Sequence, residues 1–205
     1  MKTIETTNEV KTMKRRQHGF TLVEIAIVLV IIGLLLGGVM KGRAMIENAK
    51  IKNLENNVNG NIAAVNTFMD RYRALPGDFK KASNRIKAGL TDGDGNGRIE
   101  GGERYSFWSH LAAAGIVSGD FDGTSDLPQH TYGGTILPMR AKINGKETHW
   151  FQYANVPVKA AAQLDIDLDD GKPKSGAIQS DTADCISGTD YQETAEAICA
   201  VYAEF

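Results

Sequence analysis

The sequence predicts an α+β protein in which the carboxyl-terminal half of one long amino-terminal α-helix packs on a small antiparallel β-sheet head. Three observations predict this architecture. Residues 20–40 form an apolar block with a single charge, an amphipathic helical pattern continues from it as far as residue 74, and short β-type segments occupy residues 131–157. We therefore expect one helix over about residues 20–74 and a globular head over residues 76–205.

Composition narrows the class of protein. The chain has 205 residues, a net charge of −2 and 42% apolar residues. These values argue against a disordered or collagen-like chain and provide no reason to expect nucleic acid as a partner. The first 19 residues carry +3 and the remainder −5. The positive-inside rule therefore places the amino-terminal end in the cytoplasm and the acidic remainder outside it.

The apolar block is long enough to cross a membrane. A helix of its 21 residues is about 31 Å long, which matches the hydrocarbon thickness of a bilayer. A secretory signal peptide normally has a shorter apolar region and a small-residue cleavage site, whereas this block ends in Met40-Lys41-Gly42-Arg43. A plain membrane anchor does not explain Glu24, because a carboxylate at the bilayer centre costs roughly 2.5–3.5 kcal/mol.

A third interpretation comes from the residues around Glu24. The segment Lys14-Arg15-Arg16-Gln17-His18-Gly19-Phe20-Thr21-Leu22-Val23-Glu24 closely resembles the processing site of type IV prepilins and type II secretion pseudopilins. The resemblance implies that a prepilin peptidase cuts between Gly19 and Phe20, that Phe20 becomes the N-methylated first residue, and that Glu24 is the required acid at the fifth mature position. It also implies a pilin-like fold.

The same resemblance implies a leader, a location and partners. Residues 1–19 would form the cleaved leader, although a start at Met13 would give the seven-residue leader common in such proteins, and we favour Met13. The precursor would be an inner-membrane protein with a periplasmic head. After cleavage it would join a homo-oligomeric or mixed filament with other pilins, either a cell-surface pilus or a periplasmic pseudopilus.

Glu24 has a physical role that suits a filament. Cleavage exposes the amine of Phe20, and in a neighbouring subunit that positive charge is a natural counter-ion for a buried carboxylate. Assembly would then neutralise both charges in a medium of low dielectric. The alternative is a glutamate at the headgroup level that is paired with water.

Residues 41–75 are predicted to form the amphipathic half of the helix. Apolar residues recur every three or four positions, which places them on one face: they are Ile51, Leu54, Val58, Ile62, Val65, Met69 and Tyr72. Pro76 ends the pattern, since proline disfavours helix at the residue before it. The alternative is that this stripe, which lasts only about three heptads, packs in a coiled coil.

The segment 92–103 resembles a calcium-binding loop. Alternating short oxygen-bearing side chains, a glycine at the turn and a glutamate at the twelfth place are typical of that template. The predicted ligands are Asp92, Asp94, Asn96, Arg98 through its backbone carbonyl, Glu100 and Glu103. Calcium is favoured over zinc because every candidate donor is oxygen. The alternative is a solvated Asp/Gly turn.

A helix is predicted to leave this loop and end before Gly115, because Tyr105, Trp108, Leu111 and Ala112 share one face. The aromatic residues Tyr105, Phe107 and Trp108 resemble a sugar-binding platform, but such a cluster is more often part of a core. We expect a core here.

Short β-type segments follow, at 135–137, 141–143 and 148–153. Asn144-Gly145 is a strong hairpin signal, so an antiparallel sheet is predicted. A short helix is expected over residues 158–164. The acidic run Asp165–Asp170 is either a second cation site or, as we favour, a capped turn and solvated face.

Cys185 and Cys199 are the only cysteines of the chain. In an exported protein a disulfide between them is the simplest interpretation, and two free thiols are the alternative. The resemblance adds that pilins often close a carboxyl-terminal loop in this way, which slightly favours a pilus over a pseudopilus.

The sequence offers little to support an enzyme. It contains no phosphate-binding loop, no GxSxG and no HExxH motif, and its four histidines are scattered. We therefore expect a structural subunit of a type IV pilus or pilus-like filament, with a type II secretion pseudopilin as the nearest alternative. A single-pass membrane-anchored calcium-binding module that never polymerises is the alternative from another class.

Overall fold

The computed structural model describes residues 19–194 and 196–205. Most of the predicted leader, with Met13 and the basic run at residues 14–16, lies outside the described residues. The chain divides into two compact units, one ending at Met45 and one comprising Ile46–Phe205. The second unit holds the core, the sheet and the disulfide.

Helix α1 spans Leu22–Tyr72, which confirms the predicted long helix. It starts directly after Thr21 and ends before the predicted break at Pro76. In the first unit all residues from 19 to 41 are exposed. Within the described part of the chain, α1 is the one helix long and apolar enough to cross a membrane.

The carboxyl-terminal half of α1 supplies one wall of the core. Leu54, Val58 and Val65 of the predicted stripe are fully buried, and Phe68 joins them. Asn61 on the same face donates a hydrogen bond of 3.0 Å from Nδ2 to the hydroxyl of Tyr153. The stripe therefore packs on the head of its own chain, as the fold prediction required.

The remaining elements form an α+β head. Its helices after α1 are α2 (Ala82–Arg85), α3 (Glu103–Ala113) and α4 (Val158–Leu168). The strands are β1 (Ile136–Ile143), β2 (Lys146–Pro157), β3 (Ile178–Ser180), β4 (Ile186–Ser187), β5 (Asp190–Tyr191) and β6 (Ile198–Glu204), with a 3₁₀ turn at Ala183–Cys185.

The main sheet is antiparallel, with strand order β1-β2-β6-β3. The hairpin turn lies at Asn144-Gly145, where both residues have positive φ, of 45° and 94°. These angles suit a type I′ turn and confirm the hairpin signal. The two segments predicted at 135–137 and 141–143 are one strand, and Pro138 is tolerated in it because β1 is an edge strand.

The last strand of the chain, β6, lies in the middle of the sheet between β2 and β3. Neither β6 nor β3 was predicted from the sequence. Their pairing joins Gln179 to Tyr202 and Phe151 to Ala203, residues that are far apart in the chain. Local hydrophobic alternation does not encode such pairing, which is why only the β1–β2 hairpin was predicted.

Helix α3 packs on the outer strand of the sheet. Phe107 and Trp108 are buried, and the indole Nε1 of Trp108 donates a hydrogen bond of 3.1 Å to the carbonyl oxygen of Ile136. The rings of Phe107 and Phe151 lie 5.6 Å apart, edge to face. These two aromatic residues therefore form core, as we expected, and not an exposed platform.

Candidate assembly segment and cation site

The amino-terminal end of α1 presents Glu24 in a capping box. The carboxylate Oε2 of Glu24 accepts hydrogen bonds from the backbone N of Thr21 at 2.8 Å and from its hydroxyl at 2.9 Å. In return, the backbone N of Glu24 donates to the Thr21 hydroxyl at 3.2 Å. This reciprocal arrangement satisfies backbone donors that every helix leaves open at its first turn.

The capping box provides a local role for Glu24 that our sequence analysis did not consider. Its signal is present in the sequence, because Thr21-Leu22-Val23-Glu24 fits the pattern T-x-x-E before an apolar run. Gly19 and Phe20 precede the helix and are exposed. The predicted cleavage bond is therefore accessible in the described chain, and Glu24 lies one helical turn beyond it.

Three carboxylates converge beside α3. One oxygen from each of Asp78, Asp94 and Glu103 lies within 4.8 Å of the other two. Asp94 and Glu103 belong to the predicted calcium loop, whereas Asp78 lies 14 residues before that loop begins. Three carboxylates offer the hard oxygen donors that calcium prefers.

Two glycines allow Asp78 to reach this loop. Gly77 has φ of +82°, and a Cβ there would lie 2.4 Å from the carbonyl oxygen of Glu103. A Cβ on Gly93 would lie 2.3 Å from the carbonyl oxygen of Gly77. The two backbone segments therefore cross in contact, and a hydrogen bond of 3.1 Å from the N of Gly93 to the carbonyl of Phe79 joins them.

The loop backbone orients the three acids. Asp78 is 4% exposed and accepts hydrogen bonds of 2.9 Å from the backbone N of Asn96 and from that of Gly97. Glu103 accepts from the N of Asp94 at 3.1 Å and from the N of Glu100 at 3.2 Å. The carboxyl groups thus hold the loop closed while they face one another.

Burial raises the pKa of Asp78, and a hydrogen bond with the Asp94 carboxyl raises it further. Burial likewise raises the pKa of Glu103, with smaller contributions from the charges of Asp78 and Asp94. Within residues 19–194 and 196–205, no lysine or arginine forms a salt bridge with any of the three. A bound cation would therefore relieve an uncompensated concentration of negative charge.

The other predicted ligands make different contacts. Both carboxylate oxygens of Asp92 accept hydrogen bonds from Ser83, at 2.7 Å from its backbone N and 2.9 Å from its hydroxyl. Those bonds lower the pKa of Asp92. Asn96 contacts Asp94 through its side-chain amide at 2.8 Å. The exposed side chains of Arg98 and Glu100 form a salt bridge of 3.5 Å with each other.

His110 on α3 contacts both of the segments that cross, one at Gly77 and the other at Thr91. Its Nδ1 accepts a hydrogen bond of 2.9 Å from the backbone N of Gly77, and its Nε2 lies 2.8 Å from the carbonyl oxygen of Thr91. These contacts fit a neutral ring that carries its proton on Nε2. Burial lowers the pKa of His110 and favours that neutral form.

A second group of acids lies at the end of α4, where Asp165, Asp169 and Asp170 come within ligand distance of one another. Each of them also has local partners. Asp165 accepts from the Tyr191 hydroxyl and the N of Gly171, both at 2.9 Å. Asp170 accepts from the hydroxyl of Ser175. Asp165 lies within α4 and is completely buried, so the solvated face that we expected is wrong for this residue, while Asp169 and Asp170 are exposed.

Cys185 and Cys199 form a disulfide bond, with their Cα atoms 6.0 Å apart. The bond links the 3₁₀ turn to the first residues of β6. It therefore fastens the segment between them to the central strand of the sheet. Both cysteines are buried.

Comparison with known proteins finds a match for one segment of the chain. No curated protein and no solved structure matches the chain significantly. Residues 14–40 match the family described as the prokaryotic N-terminal methylation motif. The matched segment contains Gly19 and Phe20, which precede α1, and Glu24, which lies in the first turn of that helix. The protein thus carries the N-terminal methylation motif that is typical of type IV pilins and pseudopilins.

Proposed function

We propose that the protein is a structural subunit of a type IV pilus or pilus-like filament. The observation that carries this proposal is Glu24, a carboxylate in the first turn of an exposed apolar helix and within the segment that matches the methylation motif. A charge in that position needs a counter-ion once the helix leaves water. The amine of Phe20 in a neighbouring subunit, freed by cleavage after Gly19, would supply it.

Each part of the chain has a task in this proposal. Residues 1–19 are the leader that prepilin peptidase removes, and residues 20–40 hold the precursor in the inner membrane and later form the filament core. Residues 41–75 connect that half of the helix to the head, and residues 76–205 are displayed in the periplasm or at the cell surface. The burial of Leu54 and Val58 against the head supports this division of labour along one helix.

The head would bind one calcium ion at the crossing of the two loops. The ligands that the geometry supports best are Asp78, Asp94 and Glu103, together with other oxygens of the segment 92–103. The ion would neutralise the three carboxylates and fix the crossing at Gly77 and Gly93. Calcium would therefore stabilise the head and take no part in a reaction, since the proposed subunit is not an enzyme.

The closed loop between Cys185 and Cys199 favours a surface pilus over a periplasmic pseudopilus. A disulfide of this separation contributes about 3 kcal/mol in the chain-entropy model, which suits a head that is exposed outside the cell. A pseudopilin remains the second candidate, because the methylation motif is typical of both classes.

Processing provides the direct test. The full chain is produced in cells with and without prepilin peptidase, and its mass and amino-terminal sequence are determined. We expect residues 20–205 with one added methyl group when the peptidase is present, and the uncut chain when it is absent. An uncut chain in both strains would favour the membrane-anchored module that never polymerises.

Location then separates the two filament classes. Filaments sheared from the cell surface should contain the processed chain if the subunit belongs to a pilus. Processed chain that stays in the periplasmic fraction would support the pseudopilus. In that case, deletion of its gene should block the export of other proteins.

A further inference from the structure

Positive charge is concentrated in the segment that follows the end of α1. Residues 71–87 contain six basic side chains and one acidic side chain. The one acid, Asp78, is buried and faces the loop 92–103. All six basic residues are exposed. The segment therefore presents a net positive surface.

These charges surround a groove. It has a volume of about 710 Å³, and its lining includes the apolar residues Leu75 and Phe79. Four of the basic residues line it, namely Arg73, Lys80, Lys81 and Arg85. Asp70 is the one exposed acid in the lining. The groove thus combines apolar lining residues with these four basic ones, which we call the rim, and this is the composition of a docking surface for an acidic segment.

Arg73 occupies an unusual backbone conformation at this rim. It is the residue directly after α1, and its φ is +56°. The left-handed conformation after a helix is typical of glycine, because a side chain there is strained. The chain nevertheless places an arginine at this position, where the side chain lines the groove. Such strain is often found where a side chain has a binding role.

Negative charge is concentrated at the other end of the chain. Residues 175–205 contain six acidic side chains and no lysine, arginine or histidine. Five of the six are exposed, namely Asp181, Asp184, Asp190, Glu193 and Glu196. The sixth, Glu204, forms a salt bridge of 2.6 Å with Lys146. The five exposed acids lie on and beside the loop that the disulfide closes.

Neither surface is neutralised by its own chain. Across the residues that the structure describes, the four basic residues of the rim form no salt bridge, and neither do the five exposed acids. A groove with a basic rim and an acidic loop are therefore both left open on one head. Long-range attraction between such surfaces orients two molecules before they touch.

We propose that the acidic segment 181–196 of one copy docks in the basic groove of a second copy. This inference rests on the proposed function, because a filament repeats one contact between identical subunits along its length. One chain carries two different complementary surfaces, so the contact is heterologous, which is the type of contact that an open helical filament repeats. The charges therefore determine how neighbouring heads are paired. Contacts between the apolar helices in the filament core hold the subunits together.

Charge reversal in the full chain tests the contact. One variant carries Lys80→Glu and Lys81→Glu, a second carries Asp190→Lys and Glu193→Lys, and a third carries all four changes. We expect each of the first two variants to yield at least about tenfold fewer filaments, because like charges then face each other. The third variant restores opposite charges across the contact and should recover most of the yield.

A matched control separates this contact from general effects of charge. Lys142→Glu with Lys172→Glu makes the same change in net charge at two exposed positions outside the groove. We expect filament yield to stay within about twofold of the unchanged chain. A photoreactive amino acid at position 81 should also crosslink to residues 181–196 of another copy, identified by mass spectrometry.

The possible outcomes are distinct. Three results would each overturn the proposed docking. They are a normal filament yield from the first and second variants, no recovery of yield in the third variant, and a crosslink to another region or to another protein. None of these results contradicts the proposed function, which has its own test. The proposed function is wrong if the unchanged chain is never cut after Gly19 and never enters a filament.

Discussion

Asp78 is the residue whose position most changes the chemistry expected of the head. The loop template assigns the first ligand position to Asp92, yet the structure pairs both oxygens of Asp92 with Ser83. Asp78 meets Asp94 and Glu103 instead. One candidate ligand set includes Asp92 and the other includes Asp78, so substitutions at these two positions can distinguish them.

We predict that Asp78→Asn weakens calcium binding at least about tenfold, because affinity in oxygen sites depends on the number of charged ligands. Asp92→Asn should change it much less, since asparagine keeps one acceptor for Ser83. The measurement is calcium titration of the full chain in detergent, followed by thermal melting with calcium or with chelator. Magnesium serves as the control cation.

The opposite ranking of the two variants would support the ligand set of the sequence template. If neither calcium nor chelator changes the melting temperature of the unchanged chain, the segment 92–103 is only a turn.

Asp165 predicts a pH dependence of stability. It is completely buried, and burial raises its pKa from 3.8 to about 6, with smaller contributions from the charges of Asp170 and Asp169. The folded state therefore holds the proton more tightly than the unfolded state. The contribution of this group to the free energy of unfolding is present below pH 4 and is lost as the pH rises through 6.

Asp165→Asn should remove that loss, since the amide can accept from the N of Gly171 and donate to the hydroxyl of Tyr191. We expect the stability of the variant, relative to the unchanged chain, to rise by about 1–3 kcal/mol between pH 4 and pH 7. Urea unfolding at both pH values measures it. Parallel curves for the two proteins would show that Asp165 titrates normally.

At the scale of elements, the crossing of residues 77–79 with residue 93 holds the candidate cation site together. These two segments are not paired as strands. Their backbones come into close contact because residues 77 and 93 are glycines. The crossing rests on His110 of α3, which bonds to Gly77 and lies within reach of the carbonyl of Thr91. Helix α3 therefore positions both loops.

Gly93→Ala should separate the two loops. The added methyl group would lie 2.3 Å from the carbonyl oxygen of Gly77, so the backbone must move. We predict a loss of stability of about 1–3 kcal/mol together with loss of the calcium response. Thermal melting with and without calcium measures both effects.

Gly89→Ala is a suitable control for steric effects, because a Cβ at that exposed glycine meets nothing within 4 Å. Its positive φ of 91° makes some loss of stability expected there as well. The calcium response of this control should remain. If Gly93→Ala also keeps the response, the crossing does not position the carboxylates.

At the scale of the whole molecule, α1 serves two environments. Its first half is exposed and apolar, while its second half buries one face against the head. Glu24 lies at the outer end of the first half, where it has both a capping role in its own helix and a proposed role as counter-ion in a neighbour. Those two roles respond differently to substitution.

Glu24→Gln keeps the capping box, because glutamine also accepts at this position, but it removes the charge. We predict normal membrane insertion and loss of filaments for Glu24→Gln. Thr21→Ala removes the cap and keeps the charge, and should retain filaments while weakening the start of the helix by about 1 kcal/mol. Membrane fractionation and filament yield measure the two steps.

Normal filaments from Glu24→Gln would overturn the role of Glu24 as counter-ion. Loss of filaments from both variants would indicate that the cap, and not the charge, is what assembly requires.

Local patterns in the sequence determined the long helix, the buried face of its second half, the Asn144-Gly145 hairpin and the methylation motif. Each depends on residues within a few positions of one another, where helix and strand periodicity act. The tertiary structure alone decided that β6 lies at the centre of the sheet and that Asp78 joins Asp94 and Glu103. Those arrangements depend on packing and backbone contacts between distant parts of the chain, which leave no periodic trace in the sequence.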